Sequence, residues 1–170
     1  MNNTFAEEQA RRIKFRKKLK KSMVGVAAVL LAQAAVYPFA QLAFNYTDSV
    51  NGYLFLIVKD KTYPKTGDLI AFYPPENQFY SHGRFIKYVK GVQGDVVDKK
   101  GLNFYINNQF IGAAKGFSLT GIPLESSEAG VIPPGKLFVW TPHHDSFDSR
   151  YKEIGWIDQN RLIGRAYRIV

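Results

Sequence analysis

One stretch limits the options for this chain more than any other. Met23–Phe44 runs for 22 residues without a charged side chain. As a helix rising about 1.5 Å per residue it spans roughly 33 Å, enough to cross a hydrocarbon core of about 30 Å. Residues 1–22 carry eight basic side chains (Arg11, Arg12, Lys14, Arg16, Lys17, Lys18, Lys20, Lys21) against Glu7 and Glu8, a net of +6 out of +9 for the whole chain. A basic protein invites a nucleic-acid reading. Here the excess sits directly before the apolar run, where it acts as a topology signal that stays in the cytoplasm. The pattern predicts three parts: a basic cytoplasmic segment 1–22, a transmembrane helix 23–44 and a periplasmic domain 45–170. The lipid bilayer is then a partner and nucleic acid is not.

Pro38 marks a kink or an end of that helix. Tyr37, Phe39, Phe44 and Tyr46 suit an aromatic belt at the far interface. A cleaved signal peptide would also place a basic region before an apolar one. The apolar run is long for that, and Tyr37-Pro38-Phe39 interrupts the small-residue end that a cleavage site needs. An uncleaved, single-pass anchor is the expectation.

The remainder reads as one mainly β, barrel-like domain. Tyr53–Val58, Asp68–Tyr73, Arg84–Val92, Lys136–Trp140 and Arg161–Val170 are short strand-like runs, separated by turn residues such as Pro64, Gly67, Pro74 and Pro133-Pro134-Gly135. Leu102–Ile106 and Gln109–Ala113 flank Asn107-Asn108, a two-residue hairpin turn. Lys115–Gly130 and Thr141–Glu153 read as irregular segments. There is no cysteine, which excludes disulfides, thiol nucleophiles and Cys-based metal sites.

Three segments carry residues suited to chemistry. The first is Thr47-Asp48-Ser49, just past the apolar run. A serine there needs a base to become a nucleophile. The second is Arg84–Asp95, where Lys87 shares a strand face with Phe85 and Val89. An apolar face strips water from a lysine and favours its neutral form. To act as a base it must come down from about 10.4 to roughly 7–8. A strand lysine that snorkels to water is the plainer alternative, and Lys90, on the other face with Tyr88, is the rival residue. The third is Asp145–Tyr151, in which Asp148 and Arg150 are placed to form an ion pair that fixes Ser146. The histidines are His82, His143 and His144. A Ser-His-Asp arrangement through His144 with Asp145 or Asp148 is formally open. The His143-His144 pair lacks further ligands at metal spacing. No metal and no cofactor is expected.

These segments, in this order and behind an N-terminal anchor, resemble the bacterial signal peptidase I family of serine–lysine membrane proteases, and within it the conjugative-transfer branch that matures pilin precursors. The resemblance covers residues 23–170. It implies a signal-peptidase-like β-barrel domain with Ser49, in a Ser-x-x-Gly-Tyr setting, as nucleophile. It implies Lys87, in a Lys-x-x-x-Gly-x-x-Gly-Asp box, as general base. Thr47 takes the place of the hydroxyl residue that forms the oxyanion hole with the Ser49 N–H. Lys65–Phe72 looks like the family's Gly-Asp strand box. In the last box Ser146 hydrogen-bonds the lysine, and Asp148 and Arg150 brace the site.

Three positions depart from the family pattern. Asn51 stands where proline is usual two residues after the nucleophile, Tyr88 where arginine follows the lysine, and Gln93 where a proline or small residue precedes Gly94. The first two, Asn51 and Tyr88, favour a specialised branch over a housekeeping enzyme. The resemblance thus implies a serine endopeptidase of the inner membrane that processes a membrane-anchored precursor, a pilin or a secreted protein, by hydrolysis or by closing the product into a ring. The competing expectation is a non-catalytic, membrane-anchored β-domain that binds secretion or pilus components.

Overall fold

The computed structural model describes residues 3–170 apart from Lys61 and Ser81, with side chains from Arg11 onward. Met1 and Asn2, at the start of the basic segment, lie outside the described residues. The chain divides into two compact units, residues 1–38 and 39–170. The first is a single helix, α1 (Asn3–Val36), of which Arg11–Val36 is long and apolar enough to cross a membrane.

The helix ends before the apolar run does. A span continuing to Phe44 is corrected here: α1 ends at Val36, and Ala40–Phe44 is a strand, β1. Pro38 is the physical reason. It has no N–H to continue the ladder, and its ring pushes Tyr37 out of helical geometry. Lys59 N–H donates to Phe39 C=O at 2.7 Å, and β1 then pairs antiparallel with β2 (Leu54–Val58), from Ala40 opposite Val58 to Phe44 opposite Leu54.

The second unit adds β3 (Leu69–Phe72), β4 (Phe85–Gly91), β5 (Val96–Lys100), β6 (Asn103–Ile106), β7 (Gln109–Ala113), β8 (Gly130–Val131), β9 (Lys136–Trp140), β10 (Ile157–Asp158) and β11 (Leu162–Arg168). Seven strands form one sheet in the order β1-β2-β11-β3-β4-β9-β10, and four form another in the order β7-β6-β5-β8. The mainly β class is as the turn-punctuated pattern predicts. Among the described residues no ladder joins β1 to β10, so the larger sheet is not closed into a barrel.

The larger sheet is buried on both faces. Ile70, Phe72, Val89, Leu137, Val139 and Leu162 pack on one side, and Phe55, Ile57, Ala71, Ile163 and Ala166 on the other. Alternation decides which is which: Phe55 and Ile57 are fully buried, while Leu54, Leu56 and Val58 are half-buried. The smaller sheet has its own core around Val97, Phe104, Ile106, Ile132 and Phe138. Asn107 and Asn108 take positive φ angles of 48° and 65°, as a tight two-residue hairpin between β6 and β7 requires. Gly164 marks the closest backbone approach. A Cβ there would lie 1.9 Å from the Val58 carbonyl oxygen, beside an irregularity where β11 pairs with β3.

Candidate active site

β4 sets the orientation of its lysines. Lys87 lies opposite Ile70 of β3 and on the same face as Val89, so it points into the core and is only 5% exposed. Its Nζ donates to Ser146 Oγ at 2.9 Å and lies 5.5 Å from the centre of the Phe85 ring. Burial strips water from the ammonium and pulls its pKa down to about 8; Asp148 nearby counteracts this and Arg150 reinforces it. Lys90 has the opposite facing. Its Nζ sits over the Trp140 ring, 5.3 Å from the centre.

Ser146 is held by a loop that follows β9. Ser146 N–H donates to His143 C=O at 3.0 Å. Asp148 and Arg150, both buried, form a two-pronged pair, with Nε to Oδ1 and Nη2 to Oδ2 each at 2.9 Å. Asp148 Oδ2 also accepts from Thr141 N–H at 3.3 Å, and Arg150 Nη1 donates to Ala113 C=O at 2.8 Å. Ser149 clips the loop to β9: its Oγ accepts from Val139 N–H at 2.9 Å, and its N–H donates to Val139 C=O at 3.0 Å. Ser127 Oγ donates to Ser149 C=O at 2.5 Å. The Asp148 carboxylate and the Arg150 guanidinium are therefore both partnered, the condition under which a buried ion pair holds one geometry.

The Ser49 loop joins β1 to β2 and is organised by Asn45. Asn45 Nδ2 donates to Val50 C=O at 2.8 Å and to Gly52 C=O at 3.0 Å. Asn45 Oδ1 accepts from Thr47 N–H at 3.2 Å and from Thr47 Oγ1 at 3.0 Å. Thr47 Oγ1 is in turn 3.0 Å from Ser49 Oγ. Val50 plugs the loop into the core at 3% exposure. The Ser49 N–H is engaged by no group among the described residues.

The two halves meet in one cleft of about 470 Å³. Thr47, Ser49, Lys87 and Ser146 all line it, with Phe44, Tyr46, Ile57, Tyr80, His82, Phe85 and Phe147 supplying most of the remaining wall. Ser49 and Lys87 thus share the cleft, while each side chain is hydrogen-bonded to another hydroxyl, Thr47 and Ser146 respectively. Asp148 and Arg150 lie behind Ser146, outside the lining.

The histidines are arranged differently. His144 Nε2 lies 2.8 Å from Asp145 Oδ2, and its ring stacks on His143 at 4.9 Å. Among the described residues none of the histidines hydrogen-bonds to Ser49, so no Ser-His-Asp relay is assembled. The ligand atoms of His143, His144 and Asp145 lie within 4.8 Å of one another. Asp145 is already paired with the Lys115 ammonium, which holds its carboxyl below the usual range.

Sequence reasoning passed over Asn45, Ser149 and Ser127. Asn45 alone left a legible signal: an amide two residues before a threonine at the mouth of a turn is placed to bond that residue's N–H.

The profile of the signal peptidase family, peptidase S26, matches residues 16–170. Among solved structures, a signal peptidase I from Enterococcus faecalis V583 is similar, with 26% identity over 61% of this chain and 97% of that one, and a TM-score of 0.43. No curated protein matches the chain. With a family profile that takes in nearly all of its length, the chain belongs to the signal peptidase family, peptidase S26.

Proposed function

We propose that the chain is a membrane-anchored serine endopeptidase that uses Ser49 as nucleophile and Lys87 as general base, and that it processes a pilin or secreted precursor at the outer face of the inner membrane. The observation that carries this reading is the buried Lys87, with its pKa drawn down to about 8, lining the same cleft as Ser49. A lysine is a base only when neutral, and burial on the β4 face supplies that condition.

The chemistry follows from the positions of the groups. Neutral Lys87 takes the Ser49 hydroxyl proton as Oγ bonds to the scissile carbonyl carbon. The developing oxyanion is held by the Ser49 N–H and the Thr47 hydroxyl; one such donor contributes about 3–4 kcal/mol. Collapse breaks the C–N bond, and the proton on Lys87 passes to the departing amine. The ester on Ser49 is then attacked by water, or by an amine of the precursor itself, with Lys87 again taking the proton; the C–Oγ bond breaks and Lys87 returns that proton to Ser49 Oγ. Water gives a linear product and an internal amine gives a ring. Ser146 orients Lys87, and Asp148 and Arg150 hold Ser146. α1 serves as the anchor, its N-terminal basic flank in the cytoplasm, with Lys20 and Lys21 reaching the headgroups along their stems.

The test is co-expression of the full chain with a precursor that carries small residues before its cleavage site, followed by intact-mass measurement. Wild type yields the shortened product, and Ser49→Ala and Lys87→Ala both leave the precursor whole. A product one water lighter than the linear form identifies ring closure. Processing that survives both substitutions overturns the proposal.

A further inference from the structure

The hydrogen bonds around Asn45 fix where two protons point. Val50 C=O and Gly52 C=O can only accept, so the Asn45 atom facing them is the amide nitrogen. Thr47 N–H can only donate, so the atom facing it is the amide oxygen. That oxygen cannot donate. The Thr47 hydroxyl, 3.0 Å from the same oxygen, must therefore give its single proton to Asn45. The 3.0 Å contact between Thr47 and Ser49 then has one possible direction, with Ser49 Oγ donating to Thr47 Oγ1. The resting loop holds a directed chain, Ser49 to Thr47 to Asn45.

Both protons point away from the chemistry. Ser49 offers its proton to Thr47 while Lys87 Nζ is occupied with Ser146. Thr47 spends its only proton on Asn45 and has none for an oxyanion. We propose that Asn45 is a positioning residue that sets the direction of this chain, and that a substrate carbonyl entering the cleft reverses it at Thr47. The Thr47 proton swings from Asn45 Oδ1 to the substrate oxygen, while the Thr47 N–H stays on Asn45 and keeps the residue in place. The Ser49 hydroxyl turns from Thr47 to Lys87. No atom is gained or lost in this step; two O–H bonds rotate. Asn45 acts through Thr47 and does not touch substrate.

This inference rests on the proposed roles of Ser49, Lys87 and Thr47, and the experiment separates the two. The full chain in detergent micelles is assayed with an internally quenched peptide bearing small residues at the third and first positions before the scissile bond, with Ser49→Ala alongside. Asn45→Ala, Thr47→Val and the double variant form a cycle. Thr47→Val should lower kcat by about 10²–10³-fold, the loss of one oxyanion donor. Asn45→Ala should lower kcat by about 10²-fold through misplacement of that donor, with little change in KM. In the Thr47→Val background the Asn45→Ala loss should shrink to within about twofold. Losses that multiply, or a change confined to KM, overturn the proposal. If Asn45→Ala does not fold, Asn45→Asp, which keeps an oxygen against Thr47, is the second variant: it should lose far less activity than Thr47→Val, and an equal loss overturns the proposal. Absence of cleavage by wild type, or cleavage by Ser49→Ala, overturns the protease reading itself and this inference with it.

Discussion

Lys87 Nζ donates to Ser146 Oγ at 2.9 Å, and neither residue is more than 5% exposed. A lysine buried beside a single hydroxyl, with its counter-ion Asp148 already forked onto Arg150, holds its proton weakly. Most of what can be tested in this protein follows from that relationship.

Peptidase activity should depend on pH with an acid limb near 8. As the proposed base, Lys87 must be neutral to accept the serine proton, and its pKa lies at about 8. kcat/KM should rise about tenfold per pH unit below that value and level off above it. A limb near 10 would mean that Lys87 is hydrated when the cleft is working.

Stability should carry the mark of the same group. Lys87 releases its proton more readily folded (about 8) than unfolded (10.5). The unfolded chain therefore binds more protons between those values, and stability rises with pH across that window. Below about 8 the folded state bears the full burden, of order 3 kcal/mol. Lys87→Met should thus raise the melting temperature at pH 7, and the gain should shrink towards pH 10.5. An equal gain at both values would assign the effect to packing alone.

Ser146→Ala removes the acceptor on which the Lys87 ammonium rests. A hydrogen bond to a charged group contributes about 1.5–3 kcal/mol, so kcat should fall by about 10–10²-fold as the base loses its orientation. The acid limb should move to lower pH, because the lost bond favoured the charged form. A fall in kcat with an unmoved limb would show that Ser146 supports the loop without touching the proton.

Asp148→Asn leaves a buried guanidinium without its carboxylate. Breaking such a pair from one side typically destabilises by about 3–5 kcal/mol, readable as a lowered urea midpoint. The acid limb should also drop, since Asp148 is the group that raises the Lys87 pKa. Retained stability would mean that the bonds from Arg150 to Ala113 and Ser146 suffice without the pair.

Gly164→Ala places a methyl group 1.9 Å from the Val58 oxygen, backbone that cannot swing aside. Overpacking in a core typically destabilises by about 1–3 kcal/mol, and contact with fixed backbone belongs at or above the top of that range. Thermal unfolding of Gly164→Ala against a control such as Gly116→Ala, whose added Cβ meets nothing within 4 Å and whose φ is not positive, separates the clash from the general effect of a side chain at glycine.

The strands with an apolar alternation were legible before any coordinates, and so was the facing of Lys87 against Lys90, because period two fixes both. Four strands were not. β1 was hidden inside an apolar run that continues α1 in composition, and only Pro38 betrays the change. β5 (Val-Val-Asp-Lys-Lys) buries one side chain of five, Val97, and so shows no pattern. β8 and β10 have two residues each and exist only as partners, for β5 and β9. At the site, the types Ser49, Lys87 and Ser146 could be named from their order along the chain. That Lys87 reaches Ser146 depends on a loop packed across more than fifty residues of sequence, and that Ser49 turns to Thr47 depends on how Asn45 folds the loop they share. Local pattern carries no record of such distances.

The position of β11 bears on how the protein comes into being. It is the last strand to be synthesised, yet it lies between β2 and β3, near the middle of the larger sheet. β2 carries the Ser49 loop, and β3 adjoins the strand that carries Lys87. Until residues 162–168 arrive, no ladder among the described strands joins these two halves. A nascent chain, or one clipped before β11, would carry the serine and the lysine on separate fragments of sheet. The central placement of a late strand thus delays assembly of the cleft until residues 162–168 have been made.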